Sequence, residues 1–139
     1  MKNKIFFIVV LTLLFASCGN GLKEKVVSTY DNGQPAKVYY IDKNNRCVRE
    51  VDYYETGIMM MEGPVKNDLR DGDWTSYFPD GKVQSTGVYQ DGVRTGKSLI
   101  YHENGHLWMD GFYKNDKKSG LWIYYDEQGY EFQRVDYGE

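Results

Sequence analysis

His102-Glu103-Asn104-Gly105-His106 is a stretch whose residue types and spacing could carry hydrolysis. On a helix, two histidines at this spacing share one face, hold a zinc ion through ring nitrogens, and leave the glutamate as general base. The site would also need a third ligand. His102 and His106 are the only histidines in the chain, so that ligand would have to be a carboxylate. Asn104-Gly105 is moreover a poor helix centre, because Asn-Gly favours a tight turn. The five residues therefore read as the flanks of a hairpin corner, with no metal and no cofactor. The loops around Asp68, Asp71, Asp73 and Asp91 lack the spaced carboxylates and closing bidentate glutamate of a calcium loop. No serine sits in a nucleophile elbow and no Walker-type loop occurs. The chain is expected not to be an enzyme; a zinc hydrolase through His102 and His106 is the reading that would contradict this.

Cys18 is the second residue with chemistry in its setting. Lys2 and Lys4 precede an apolar stretch, residues 5–15, broken only by Thr12, and Ala16-Ser17-Cys18-Gly19 follows. A basic start, a short apolar run and small residues before a cut describe a secretory signal peptide, and the run is too short to span ~30 Å of hydrocarbon as a lone helix. Phe15-Ala16-Ser17-Cys18 resembles a bacterial lipobox, which implies cleavage before Cys18 and lipidation of its sulfur and new amine. Residues 1–17 are then a lipoprotein signal peptide, 18–25 a tether and 26–139 the folded domain. The expected location is the cell envelope, lipid-anchored to a membrane after export. Cys47 is the only other cysteine, read as a small buried apolar residue. A bridge from Cys18 to Cys47 is the rival, and it excludes the lipobox.

Trp74, Trp108 and Trp122 form the candidate binding face. Each lies in a strand-like run, and alternation points Trp74 away from Tyr77 and Trp122 away from Tyr125. A second packing face is one reading of this surplus of rings; a contact patch for a protein or glycan is the other, with Ile58 and Met59 to Met61 adding adaptable surface.

The frame that must hold these residues is a repeat. Gly33, Gly57, Gly81, Gly105 and Gly129 recur every 24 residues, as do Gly63, Gly87 and Gly111, and Tyr53, Tyr77, Tyr101 and Tyr125. A fixed period of this length marks an array in which each unit is one supersecondary element. Phe78-Pro79-Asp80-Gly81 and its counterparts read as tight turns between a short run such as 74–77 and a longer one such as 82–90. A polar second connection, such as Asn115-Asp116, closes each unit. The expectation is an all-β fold, an antiparallel meander of about nine strands, with tyrosine rings covering the glycines inside the strands. The 139 residues allow one domain, and 13 tyrosines against few leucines after residue 22 disfavour a helical bundle. With Lys2 and Lys4 removed, 15 basic residues face 20 acidic ones, and Lys117-Lys118 is too short a patch for nucleic acid, which is excluded as a partner.

The pattern Gly87-Val88-Tyr89, Gly92, Gly96, Gly105, repeated as Gly111-Phe112-Tyr113, Asp116, Gly120, Gly129, resembles MORN repeats. It is most similar to the bacterial variant in YwqK-type antitoxin proteins, over residues 28–137. Trp74, Ser98 and Trp122 stand where the eukaryotic pattern has a further glycine. The resemblance implies strand-rich hairpin arrays that act as binding scaffolds without catalytic residues. The expected function is a non-enzymatic, membrane-anchored protein-binding module, with an immunity role against a toxin as a sub-case. The alternative is an envelope structural or glycan-binding lipoprotein.

Overall fold

The computed structural model describes residues 21–138; the expected signal segment and Cys18 lie outside them. All regular structure in this span is β: β1 (Lys23–Thr29), β2 (Pro35–Ile41), β3 (Cys47–Tyr53), β4 (Met59–Lys66), β5 (Leu69–Arg70), β6 (Gly72–Tyr77), β7 (Val83–Gln90), β8 (Val93–Tyr101), β9 (Leu107–Lys114), β10 (Lys117–Tyr125) and β11 (Glu131–Asp136). β1 begins inside the segment expected to be tether. The strands pair antiparallel in chain order β1-β2-β3-β4-β6-β7-β8-β9-β10-β11, with β5 attached to β4 alone. The sheet is open, with β1 and β11 as its edges. Lys23, Glu24 and Lys25 on β1 place charge on one of them, a common protection against edge-to-edge pairing.

Two turn chemistries connect the strands, and from β3 onward they alternate. At Phe78-Pro79-Asp80-Gly81-Lys82 the Phe78 amide donates to Lys82 O and the Gly81 amide to Phe78 O, both at 2.8 Å. Gly81 has φ 86°, the left-handed state that glycine adopts without strain, so a type I turn closes on a bulge. The other connection is a two-residue turn with both φ values positive, 51° at Asn115 and 64° at Asp116. Asn and Asp tolerate this state better than other side chains, which accounts for the polar connections.

Eleven strands exceed the expected nine or so, in part because one strand is cut. β8 and β10 run continuously through residues that in the earlier unit are divided into β5 and β6. Pro64 on β4 has no N–H to donate, so the ladder there keeps only a 3.2 Å bond from the Asp71 amide to Pro64 O.

Bonds between turns tie successive units. Tyr30 donates to Tyr53 O at 2.7 Å and Tyr54 to Tyr77 O at 2.8 Å. Asn32 and Asn104 reach Glu55 O and Glu127 O in the same way. Few side chains are fully covered, as a single layer requires. Val38 and Val51 are buried on one face, Val65, Trp74 and Trp122 on the other.

Candidate functional site

Strand pairing assembles one row across the sheet from residues distant in sequence: Glu50 against Gly63, Trp74 against Gly87, Ser98 against both Gly87 and Gly111, and Trp122 against Val135. Directly paired residues point to the same face, so this row defines a tryptophan face. Trp74 and Trp122 are 3% and 0% exposed. These two members of the expected binding face are therefore core residues. A Cβ on Gly63 would lie 2.5 Å from Trp74 Cε2, and one on Gly111 2.6 Å from Trp122 Cγ, so each indole lies directly on a strand glycine. The cover is tryptophan, not the expected tyrosine; an indole spans the gap and also donates its N–H to the neighbouring strand, to Pro64 O and Phe112 O at 3.0 Å. Tyr89 and Tyr113 instead meet the indoles edge-on, with ring centres 6.1 and 5.2 Å away.

A column of cations lies over these rings. The Arg70 guanidinium sits 4.1 Å from the Trp74 ring centre, Arg94 4.1 Å from Tyr113, and Lys118 Nζ 4.4 Å from Trp122. The column was missed in the sequence, although Arg46, Arg70, Arg94 and Lys118 recur at the same 24-residue spacing as the glycines. At the β3 end, Glu50 accepts from Lys37 at 2.8 Å and lies 3.7 Å from Arg70.

Trp108 is separated from the other two tryptophans. It alternates with Met109 and Gly111, is 41% exposed, and faces the opposite side of the sheet. It stacks on His102 with ring centres 5.6 Å apart, in an open hollow of about 450 Å³ lined by Phe78, Tyr101, Glu103, Asn104 and Glu127.

The His102–His106 stretch is a hairpin corner. The His102 amide donates to His106 O at 2.8 Å, and the Gly105 amide to His102 O at 2.9 Å. His102 Nε2 donates to Tyr125 O at 2.9 Å, taking the role that Tyr30 and Tyr54 play in earlier units, so that nitrogen is committed to a carbonyl. The one-face helical geometry of a zinc ligand pair is not the geometry adopted here. Among the described residues no three histidine, cysteine or acidic side chains converge. The acidic loops have a structural use as well: Asp71 accepts from the Asp91 amide at 3.1 Å, and Asp116 from the Arg94 amide at 2.8 Å. The repeat tyrosines Tyr53, Tyr77, Tyr101 and Tyr125 are all half-buried at their strand ends, as the thin sheet demands. Cys47 is half-buried, donates to Arg49 O at 3.4 Å, and has a thiol pushed up by burial, hence a weak nucleophile.

Glu62 links Tyr77 and Arg49. Tyr77 donates to one carboxylate oxygen at 2.7 Å and Arg49 holds the other. Burial raises the Glu62 carboxyl, but these two bonds outweigh it and hold the group below its ordinary value. Tyr77 is pushed up to about 12, by burial first and then by its bond to Glu62. Glu62 thus adds stability that is present above its unfolded pKa and lost as acid protonates it. The Tyr77 contribution is complete below pH 10 and lost as pH rises towards about 12. Tyr77→Phe should flatten the fall of melting temperature across that alkaline window, leaving a slope that includes Tyr40, also pushed up to about 12. Superimposable wild-type and variant curves would exclude this linkage.

Residues 70–91 and 94–115 each match the MORN repeat variant family, and the two matches begin one 24-residue period apart. The chain is an all-β repeat protein carrying MORN-type repeats, and its hairpin meander fits them. Among the curated proteins none matches this chain.

Proposed function

We propose that this chain is a non-enzymatic repeat module that binds a protein partner through the face opposite the buried indoles, held at a membrane by lipid on Cys18. The observation that carries the reading is the apolar surface on β9 and β10. Trp108, Phe112 and Leu121 are 41%, 48% and 45% exposed, on adjacent strands of the face that Trp74 and Trp122 do not occupy. Exposed aromatic anchors on a rigid sheet have the composition of interface hot spots. An immunity role, in which the sheet covers a toxin, is the finer form of this proposal and rests on the resemblance to YwqK-type proteins. The anchor rests on the order of residues 2–18.

Affinity capture from native membranes tests both parts. The Trp108→Ala, Phe112→Ala double variant should lose at least about tenfold of the captured partner, as removal of one hot spot does. Cys18→Ala should leave the partner surface intact and move the protein out of the membrane fraction. Equal capture by the double variant would reject the surface; a membrane-bound Cys18→Ala would reject the anchor.

Glycan binding is the second reading, favoured by the hollow around Trp108. A half-exposed indole beside Glu103, Asn104 and Glu127 offers a stacking plane with hydrogen-bonding groups at its rim. Sedimentation of the protein with purified cell wall, abolished by Trp108→Ala, is the result expected under this reading.

A further inference from the structure

The tryptophan column is interrupted once. In the units on either side, an indole lies on the strand glycine and a cation lies on the indole: Gly63, Trp74, Arg70 in one, Gly111, Trp122, Lys118 in the other. Position 98, midway between Trp74 and Trp122 in the column, is serine. Over Gly87 there is therefore no ring, and the Arg94 guanidinium has dropped towards the strand, where a Cβ on Gly87 would stand 3.4 Å from its Nε and Nη2. Nη2 donates to Ser98 Oγ at 3.1 Å, and Ser98 Oγ donates to Thr86 O at 3.1 Å. Arg94 Nε is enclosed and has no hydrogen-bond partner among the described residues. Next to it opens a cleft of about 210 Å³ lined by Met61, Trp74, Ser76, Ser85, Tyr89 and Arg94, together with Gly87. An apolar cavity of ~150 Å³ accommodates benzene, so the cleft has room for one flat ring.

We propose that this cleft binds a planar aromatic ring carrying a carboxylate. The neighbouring units show which shape the sheet accepts at this place: a flat ring lying on the glycine under a cation. Val88 stands where Pro64 and Phe112 stand in those units, so its carbonyl is the counterpart acceptor for a ring N–H. Arg94 moves outward onto the ring face, as Arg70 lies on Trp74, and its edge meets the carboxylate. None of the lining side chains is acidic. Arg70, 5.7 Å from the Tyr89 ring centre, adds a second positive charge nearby. Both a free aromatic acid and the tryptophan-terminated end of a polypeptide present this chemistry.

Amide shifts of Gly87 and Ser98 in the full chain, titrated with indole-3-acetate and with a short peptide ending in a free tryptophan carboxylate, test the site. Saturable shifts confined to the cleft are expected with at least one probe below about 10 mM, and the tighter probe identifies the source. Ser98→Trp supplies the missing indole from within and should weaken binding by at least about tenfold. Arg94→Gln keeps the cleft and removes the charge, so indole-3-acetate should fall about tenfold, to the affinity of uncharged indole. Absence of saturable shifts with both probes, or binding unchanged in either variant, would overturn the assignment.

Discussion

Gly111→Ala should destabilise the protein by about 3 kcal/mol, whereas Gly87→Ala, in the same column one repeat earlier, should stay within about 0.5 kcal/mol of wild type. Both glycines are buried in strand interiors and neither requires a left-handed backbone. They differ in what lies on them. A methyl on Gly111 would stand 2.6 Å from Trp122 Cγ, inside a fully covered indole that has no free volume to retreat into. A methyl on Gly87 would meet the Arg94 guanidinium at 3.4 Å and Ser98 Oγ at 3.8 Å, both side-chain contacts of ordinary length. Melting temperatures would separate the pair by on the order of 10 °C, given the usual entropy of unfolding for a domain of this size. Equal losses would show that the indole does not rest on the glycine as described.

Trp122→Ala is the larger single-residue loss expected, about 3–5 kcal/mol, because it removes a completely covered side chain and leaves a cavity in a sheet only one layer thick. It also deprives Phe112 O of the indole N–H and removes the ring on which Lys118 and Tyr113 pack. With total stabilities of roughly 5–15 kcal/mol in small domains, such a change consumes a large share of the margin. Trp108→Ala, on the exposed face, should leave stability within about 0.5 kcal/mol while lowering partner or glycan binding. Denaturant unfolding followed by circular dichroism distinguishes them, and a Trp108→Ala loss equal to that of Trp122→Ala would contradict their placement on opposite faces.

The contrast between Trp108 and the other two tryptophans shows why the binding face was only partly legible. Alternation within a run correctly separated Trp74 from Tyr77, but it states only that two neighbours face opposite ways. Which face is covered depends on what the adjacent strands contribute. Gly63 and Gly111 lie in β4 and β9, which meet β6 and β10 through the second connections, and only that pairing places a side-chain-free strip beneath each indole. Tyrosine was the expected cover because it is the commonest ring in the chain; the geometry at Gly63 and Gly111 selects the ring standing directly opposite. Arg94 illustrates a related limit. Its 24-residue spacing was visible, but its descent over Gly87 follows from the serine four residues on, through space.

The order of residues was sufficient for the all-β class, the meander, both kinds of turn and the reading of His102 and His106 as a corner. These features depend on interactions within one hairpin, and glycine, proline and asparagine restrict backbone angles wherever they stand. Burial, the division of the tryptophans between faces and the cleft at Gly87 emerged only once the strands were set side by side. Each of them is a property of atoms brought together across the sheet, and cross-strand neighbours settle which rings are covered and which remain open to solvent.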